Sequence, residues 1–138
     1  MLEHLFVYGT LMSGAGHPMG ARLGREGRLV GPALIAGRLF DLGRYPALIE
    51  SGADDGHVHG EVYALSSPGE SFRWLDAYEG IVPGCEAQSE YARVERTARL
   101  SNGRQITAWV YLYRAPLGGA AMIESGRWLP RQVGSQQS

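Results

Sequence analysis

The chain has 138 residues, of which 44% are hydrophobic and 20% are charged, and its formal net charge is -1. This length suits one domain with a single core, and the balanced charge argues against nucleic acid as a partner because the chain lacks the basic excess that binds phosphate backbones. The apolar stretches are no longer than strands and there is one cysteine, Cys85, so we expect a cytoplasmic protein without internal disulfides or membrane contact.

The frequent glycines and prolines of the sequence favour many short strands. Twenty glycines and seven prolines interrupt short apolar runs. The predicted strands cover residues 4–8, 33–40, 47–49, 57–65, 91–100 and 105–113. We expect one domain over residues 1–132 and a disordered tail over residues 133–138.

The first predicted strand runs directly into the motif Tyr8-Gly9-Thr10-Leu11. A glycine and a threonine at the end of a strand allow backbone amides to turn outward around a small anion. Because any strand can end at a glycine, this motif alone is unspecific. It identifies a candidate binding loop that needs a second observation.

The one helix that the sequence specifies well begins at Ser67. Pro68 occupies the first turn, where its missing N–H is not needed, and Glu70 completes a capping box with Ser67. The helix is expected to end at Gly80, a glycine suited to the position after the C-cap.

Glu79 lies in the last turn of this predicted helix. On a 3.6-residue period, Glu79 shares the inward face of the helix with Phe72, Leu75 and Asp76. The same period places Trp74 and Tyr78 on the opposite face. Burial and the negative end of the helix dipole both raise the pKa of such a carboxyl, which suits a general acid/base near neutral pH. The alternative is that Glu79 only accepts hydrogen bonds or pairs with an arginine. Asp76 is interpreted as structural.

The last two predicted strands form a hairpin around Ser101-Asn102-Gly103-Arg104. Asn-Gly suits a type I′ turn, and the resulting register places Arg96 opposite Trp109 and Val94 opposite Tyr111. Both faces of the hairpin carry apolar side chains. This pattern favours a small closed barrel with further structure packed on its outside.

Taken together, four segments resemble the gamma-glutamylcyclotransferase-like family, and in particular its gamma-glutamylamine cyclotransferase-like members. The resemblance spans most of the chain, and it depends on the order and spacing of the segments. They are Val7-Tyr8-Gly9-Thr10-Leu11, Tyr45-Pro46-Ala47-Leu48, Gly60-Glu61-Val62-Tyr63 and Leu75-Asp76-Ala77-Tyr78-Glu79-Gly80.

The resemblance implies an α+β fold, a small mixed β-barrel with flanking short helices. It also implies an enzyme that cleaves a gamma-glutamyl amide into 5-oxoproline and a free amine. Carried over by position, Glu79 is the catalytic acid/base, and no metal or cofactor takes part. The substrate-binding residues are the loop and two pocket walls: Tyr8, Gly9, Thr10, Leu11, Tyr45 and Tyr91.

Other readings of the sequence stay open. Cys85 is a candidate nucleophile without a nearby histidine, and His57 and His59 share one strand face but lack an obvious third metal ligand. Arg127 stands where we expect an acidic residue, and this leaves the choice of gamma-glutamyl substrate undecided. The sequence does not decide the oligomeric state. A non-catalytic binding domain, in which Glu79 pairs with a ligand ammonium, is the alternative function.

Overall fold

The structure, a computed structural model, describes residues 2–51, 56–81 and 89–128. Two helices are present in these ranges, α1 (Pro18–Glu26) and α2 (Pro68–Tyr78). The eight strands are β1 (His4–Val7), β2 (Gly27–Ala36), β3 (Arg38–Asp41), β4 (Pro46–Ile49), β5 (His57–Leu65), β6 (Tyr91–Leu100), β7 (Gln105–Tyr113) and β8 (Ala121–Ile123). Cys85 and the predicted tail lie outside the described residues.

Five strands close a barrel in the order β1-β5-β2-β6-β7. Four of the five neighbouring pairs are antiparallel, and the barrel closes where β1 runs parallel to β7, with Leu5 opposite Trp109. The remaining strands form a separate sheet in the order β4-β3-β8. The predicted fold class, a small mixed barrel with flanking short helices, is therefore confirmed.

Alternation along the strands produces two apolar layers. Side chains such as Phe6, Val62 and Val110 fill the barrel interior. Neighbouring residues on the outer wall, such as Leu5, pack with Phe72 and other residues of the helices in a second cluster. Successive side chains of a strand point to opposite faces, and both faces of β1 are buried. The same holds for the end of β7, where Val110 and Tyr111 are both buried, as the apolar hairpin pattern predicted.

The predicted strand over residues 33–40 is two strands, and this prediction was wrong. The break is at Gly37, where the chain leaves the barrel for the small sheet. A Cβ at Gly37 would lie 2.7 Å from Leu48 Cδ1 and 3.0 Å from the Ile49 carbonyl oxygen. A side chain at this position would therefore force Leu48 and the end of β4 to shift. The other five strand predictions match observed strands within one residue at each end.

The predicted hairpin register was wrong by one residue. Arg96 lies opposite Ala108, not Trp109, and Trp109 lies opposite Glu95. A one-residue slip in pairing changes every cross-strand neighbour, so the predicted pairs do not exist.

The loop of the hairpin explains the slip. The Leu100 N–H donates to the Arg104 carbonyl oxygen at 2.8 Å, which leaves three residues in the loop rather than two. Gly103 has a φ of 88°, whereas Asn102 keeps a negative φ and its Oδ1 accepts a hydrogen bond from the Arg104 N–H. A left-handed glycine after an ordinary turn is the usual three-residue solution.

The start of α2 differs in detail from its prediction. Ser67 is the N-cap residue and Pro68 begins the helix, but the Ser67 side chain makes no capping hydrogen bond. The Ser67 carbonyl oxygen instead accepts hydrogen bonds from the N–H groups of Glu70 and Ser71, both at 3.1 Å. The predicted capping box is therefore wrong, although the boundary is right.

Candidate active site

A cavity of about 180 Å³ opens at the end of the barrel where β1 and β7 finish and β6 begins. Its volume is several times the roughly 30 Å³ that one water molecule occupies in the liquid. All seven residues that the sequence assigned to a site line this cavity: Tyr8, Gly9, Thr10, Leu11, Tyr45, Glu79 and Tyr91. Residues separated by up to 83 positions in the chain thus meet in one place.

The end of α2 positions Glu79. It is the C-cap residue, and its N–H donates to the Leu75 carbonyl oxygen at 3.0 Å. Gly80 follows with a φ of 77°, and the Ile81 N–H donates to the Asp76 carbonyl oxygen at 2.9 Å. This is a Schellman ending, in which a left-handed glycine terminates the helix, as the sequence predicted. The carboxyl-bearing residue is therefore held by backbone hydrogen bonds on both sides.

The electrostatic surroundings of Glu79 favour its neutral form. Burial raises the pKa of the Glu79 carboxyl to about 8, and the negative charges of Glu90 and Asp76 add to the rise. An ordinary glutamate has a pKa of about 4.3. The direction of the shift agrees with the prediction from the sequence. A carboxyl of this kind exchanges its proton near neutral pH.

The loop after β1 is tied to its surroundings through side chains. The Tyr8 hydroxyl donates to the Tyr111 carbonyl oxygen at 2.6 Å, and the hydroxyls of Thr10 and Tyr78 lie 2.7 Å apart. The Met12 N–H donates to the Gly9 carbonyl oxygen at 3.0 Å and closes a turn. The loop is thus fixed to β7 and to the end of α2 before any ligand arrives.

Gly9 has a packing role that the sequence reading did not give it. A Cβ at this position would lie 2.8 Å from both Cγ and Cδ of Pro46. The glycine therefore allows the loop to pass directly against the start of β4. Its φ is not in the left-handed region, so the need for glycine is close approach to Pro46.

Two of the cavity walls are the predicted tyrosines. The Tyr91 hydroxyl donates to the Pro46 carbonyl oxygen at 2.8 Å, and the ring centroids of Tyr91 and Tyr45 are 6.4 Å apart. Tyr45 is 37% exposed and stands at the opening, where its hydroxyl is 3.4 Å from Glu90 Oε2. Burial, followed by the charge of Glu79, raises the pKa of Tyr91. Its hydroxyl therefore stays protonated and acts as a donor.

Sequence reasoning missed three polar residues that line the same cavity: Tyr78, Glu90 and Tyr111. Tyr78 was predicted to point away, and this was wrong because the helix ends at that residue and its hydroxyl reaches Thr10. Tyr111 was assigned to the wrong pair by the register error. Glu90 immediately precedes β6, and no sequence signal distinguished it from an ordinary strand boundary.

Asp76 organises a half-buried edge of the site. Its carboxylate accepts two hydrogen bonds from Arg93, at 2.9 and 3.2 Å, and one from the Tyr111 hydroxyl at 2.7 Å. The Arg93 guanidinium also stacks on the rings of Phe72 and Trp109, 4.1 and 4.5 Å from their centroids. The structural role that we expected for Asp76 is therefore to hold Tyr111, a tyrosine of the cavity wall, in position.

The described ranges contain neither a group of metal ligands nor a membrane-spanning helix. In residues 2–51, 56–81 and 89–128, no three His, Cys, Asp or Glu side chains come together as metal ligands would. Neither helix in these ranges is long and apolar enough to cross a membrane.

Comparison with known proteins identifies the family. Residues 5–130 match the family described as gamma-glutamyl cyclotransferase, AIG2-like. The chain belongs to this family. It is 35% identical over 130 residues to the gamma-glutamylcyclotransferase family protein ytfP of Citrobacter rodentium, covering 92% of this chain and 96% of that protein. The family resemblance inferred from the four sequence segments is confirmed.

Solved structures agree with the assignment. The solution NMR structure of protein ytfP from Escherichia coli has a TM-score of 0.60 and 33% identity, covering 91% of this chain and 96% of that one. The crystal structure of an AIG2-like protein from Mus musculus has a TM-score of 0.67, covering 95% and 97%. The mouse protein is 23% identical and shows the shared fold alone.

Proposed function

We propose that this protein is a gamma-glutamylcyclotransferase that cleaves a gamma-glutamyl amide into 5-oxoproline and a free amine, with Glu79 as the general acid/base. The observation that carries the proposal is the Glu79 carboxyl, whose pKa is raised to about 8 inside the cavity bounded by the Tyr8–Leu11 loop. Family membership supports the reaction class.

The reaction needs one group that first takes and then returns a proton. The substrate's α-amine attacks its own γ-carbonyl carbon, so that a C–N bond forms and a tetrahedral centre carries the oxygen charge. The α-nitrogen loses two protons on the way from an ammonium to a lactam N–H. Glu79 takes the first from the α-ammonium, which frees the amine to attack, and gives it to the leaving nitrogen as the C–N bond of the γ-amide breaks. The second proton leaves the α-nitrogen once the ring has closed; the regenerated Glu79 carboxylate takes it and passes it to the released amine, which departs as an ammonium ion.

The raised pKa suits both halves of this cycle. Compared with an ordinary glutamate at about 4.3, a carboxylate whose conjugate acid has a pKa of about 8 is a stronger base by a factor of about 10³ to 10⁴. The same group, once protonated, still transfers its proton to an amine nitrogen readily. Efficient general catalysts have a pKa close to the working pH.

The walls of the cavity supply orientation. The buried hydroxyls of Tyr8 and Tyr91 are held by carbonyl oxygens, so they form fixed surfaces around the substrate. Backbone N–H groups of the loop around Gly9 are proposed to bind the α-carboxylate. Holding the amine and carbonyl in a reactive geometry can contribute several of the roughly 7 to 11 kcal/mol available to intramolecular reactions.

The charges of the cavity fit a substrate with an ammonium group. Among the described residues that line it, the charged side chains are Glu79 and Glu90, and both are acidic. This observation also suits the alternative function, a binding domain that holds a ligand ammonium without reaction. The two functions differ in one measurable product, 5-oxoproline.

The deciding experiment measures release of 5-oxoproline from a panel of gamma-glutamyl amino acids and gamma-glutamyl amines. Wild type should turn over at least one substrate class, and Glu79→Gln should lose about 10² to 10⁴ in kcat while remaining folded. Glu70→Gln is the matched control, because Glu70 is an exposed carboxylate in the first turn of the same helix. Tight ligand binding without product in the wild type would favour the binding domain.

A second experiment tests the loop. Thr10→Val removes the hydroxyl that contacts Tyr78 while keeping the side-chain shape. It should raise KM more than it lowers kcat, whereas Thr107→Val, an exposed threonine of β7, should leave both unchanged. Unchanged kinetics in Thr10→Val would place substrate recognition elsewhere. Because the proposed chemistry uses no metal and no thiol, Cys85→Ser and treatment with EDTA should both preserve activity.

A further inference from the structure

A second, open groove of about 560 Å³ lies on the outer wall of the barrel, across β5, β2 and β6. It shares no lining residue with the cavity. Among the described residues that line it, the ionisable side chains are Arg99, Arg127 and His59, and none is a carboxylate. We name these three residues and their surroundings the cationic groove.

The alternation of the backbone brings the three side chains to the same outer surface. Arg99 lies between Ala98 and Leu100, which point into the barrel, so Arg99 points outward. His59 follows Val58, another residue of the barrel interior, and also faces outward. Leu34 on β2 lies between them, paired with His59 on one side and Arg99 on the other.

Arg127 reaches this surface because the segment around Gly126 is anchored to β5. The His59 N–H donates to the Gly126 carbonyl oxygen at 2.8 Å. Gly126 has a φ of 70°, and a Cβ there would collide with the His57 carbonyl oxygen, so only glycine allows this contact. Trp128 is buried in the barrel core, and its neighbour Arg127 is exposed. Arg127, which stands where the sequence led us to expect an acidic residue, therefore has a defined place in the fold.

The arginines of the groove are not neutralised within the described ranges. Residues 2–51, 56–81 and 89–128 contain three ion pairs, and none of them includes Arg99 or Arg127. Burial, followed by the positive charges of Arg127 and His57, lowers the pKa of His59. Like charges gathered without an acidic partner repel each other, and a bound anion would remove that cost.

We propose that the cationic groove binds the phosphate group of a small soluble phosphate monoester. Two guanidinium groups supply permanent charge and paired N–H donors that match phosphate oxygens. The two guanidinium charges and the nearby imidazole match the two negative charges of a phosphate monoester better than the single negative charge of a carboxylate ligand. Leu34 and Pro32 offer apolar surface beside these donors for the organic part of the ligand.

The test titrates the full chain with glycerol 3-phosphate, inorganic phosphate and acetate at matched ionic strength, by calorimetry and by NMR of backbone amides. Both phosphates should bind and shift the amides of Leu34 and Gly103, and acetate should bind at least tenfold more weakly. Arg99→Gln and Arg127→Gln should each weaken phosphate binding about tenfold or more. Arg28→Gln, an exposed arginine of β2 outside the groove, should leave it unchanged.

A readout at His59 separates site binding from a general charge effect. Its imidazole proton resonance should titrate at higher pH when glycerol 3-phosphate is bound, since a nearby dianion favours the charged ring. The groups that face this ring are Arg127 and His57, and both oppose its protonation in the free protein. Equal binding of acetate and phosphate, or equal weakening by Arg28→Gln, would overturn the proposal.

Discussion

The cavity and the cationic groove are built on the same barrel, yet they hold charge in opposite ways. In the cavity, Glu79 is largely but not fully shielded from water beside Glu90 and Asp76, and its pKa rises to about 8. In the groove, Arg99 and Arg127 are exposed and keep their charge at any physiological pH. The difference shows that the position of an ionisable side chain decides what it can do. Burial shifts the pKa of a carboxyl so that it exchanges its proton near neutral pH, whereas an exposed guanidinium supplies a fixed positive charge that attracts anions.

The largest expected effect is on the free energy of unfolding when Glu79, the carboxyl with the raised pKa, is replaced. In the unfolded chain this carboxyl ionises near pH 4.3, but in the folded protein it does so at about 8. As pH rises between these values, the unfolded state loses a proton that the folded state still holds, so the folded state loses relative stability. Glu79→Gln removes this loss.

We therefore expect Glu79→Gln to be more stable than wild type by about 2 to 4 kcal/mol at pH 8.5, with allowance for solvent screening of a partly exposed group. At about pH 4 the two proteins should unfold with equal free energy. Urea unfolding monitored at both pH values measures the difference, with Glu70→Gln as the control. A difference independent of pH would mean that Glu79 has an ordinary pKa, and the contrast with the groove would fail.

Asp76 tests whether the cavity edge is a connected unit. Asp76→Asn removes the charge that holds Arg93 and weakens the acceptor for the Tyr111 hydroxyl. We expect a loss of about 1 to 3 kcal/mol of stability, because Arg93 is left half-buried between two rings without its carboxylate.

The matched control for Asp76→Asn is Glu50→Gln, which breaks the more exposed ion pair with Arg96 and should cost no more than about 1 kcal/mol. A double-mutant cycle with Arg93→Gln should give a coupling well above that of the Glu50 and Arg96 pair. Equal couplings would show that burial adds nothing to the interaction at the cavity edge.

Glu90 allows the charge of the cavity to be changed without touching the proposed catalytic group. If Glu79 is the base, kcat/KM should rise with pH up to about pH 8. Glu90→Gln removes one repelling charge, so the rise should move to lower pH, by less than about one unit for an exposed neighbour. A pH profile with Glu70→Gln as the control measures this. An unchanged or upward-shifted midpoint would remove Glu90 from the electrostatics of the site.

The sequence predicted those parts of the molecule that depend on local pattern. Alternating apolar strands, a proline after Ser67 and a terminal Gly80 were enough to place four of the five barrel strands and the boundaries of α2. The inward position of Glu79 and the upward direction of its pKa followed from the helix period and the helix end, which are both local, whereas its proposed role came from the family resemblance. These features are specified by steric and backbone constraints within a few residues.

The remaining features depend on contacts between distant segments. The need for glycine at position 9 comes from Pro46, and the direction of Tyr78 depends on Thr10, 68 positions away. The hairpin register is a local exception: it was decided by the negative φ of Asn102, because Asn-Gly fits both a two-residue and a three-residue loop. The cationic groove combines three strands with the segment around Gly126, so its residues show no common sequence motif.

The smallest expected effect is on the stability of the groove itself. Because Arg99 and Arg127 are exposed and unpaired within the described residues, the double variant Arg99→Gln/Arg127→Gln should change the free energy of unfolding by no more than about 0.5 kcal/mol. The change should be stabilising at low salt, since repulsion is relieved, and should vanish near 1 M salt, where the Debye length is about 3 Å. Thermal unfolding at both salt concentrations, with Arg28→Gln as the control, measures it. A loss above about 1 kcal/mol would show that the arginines form ion pairs with carboxylates of the chain, and the groove would then be a structural cluster rather than an anion site.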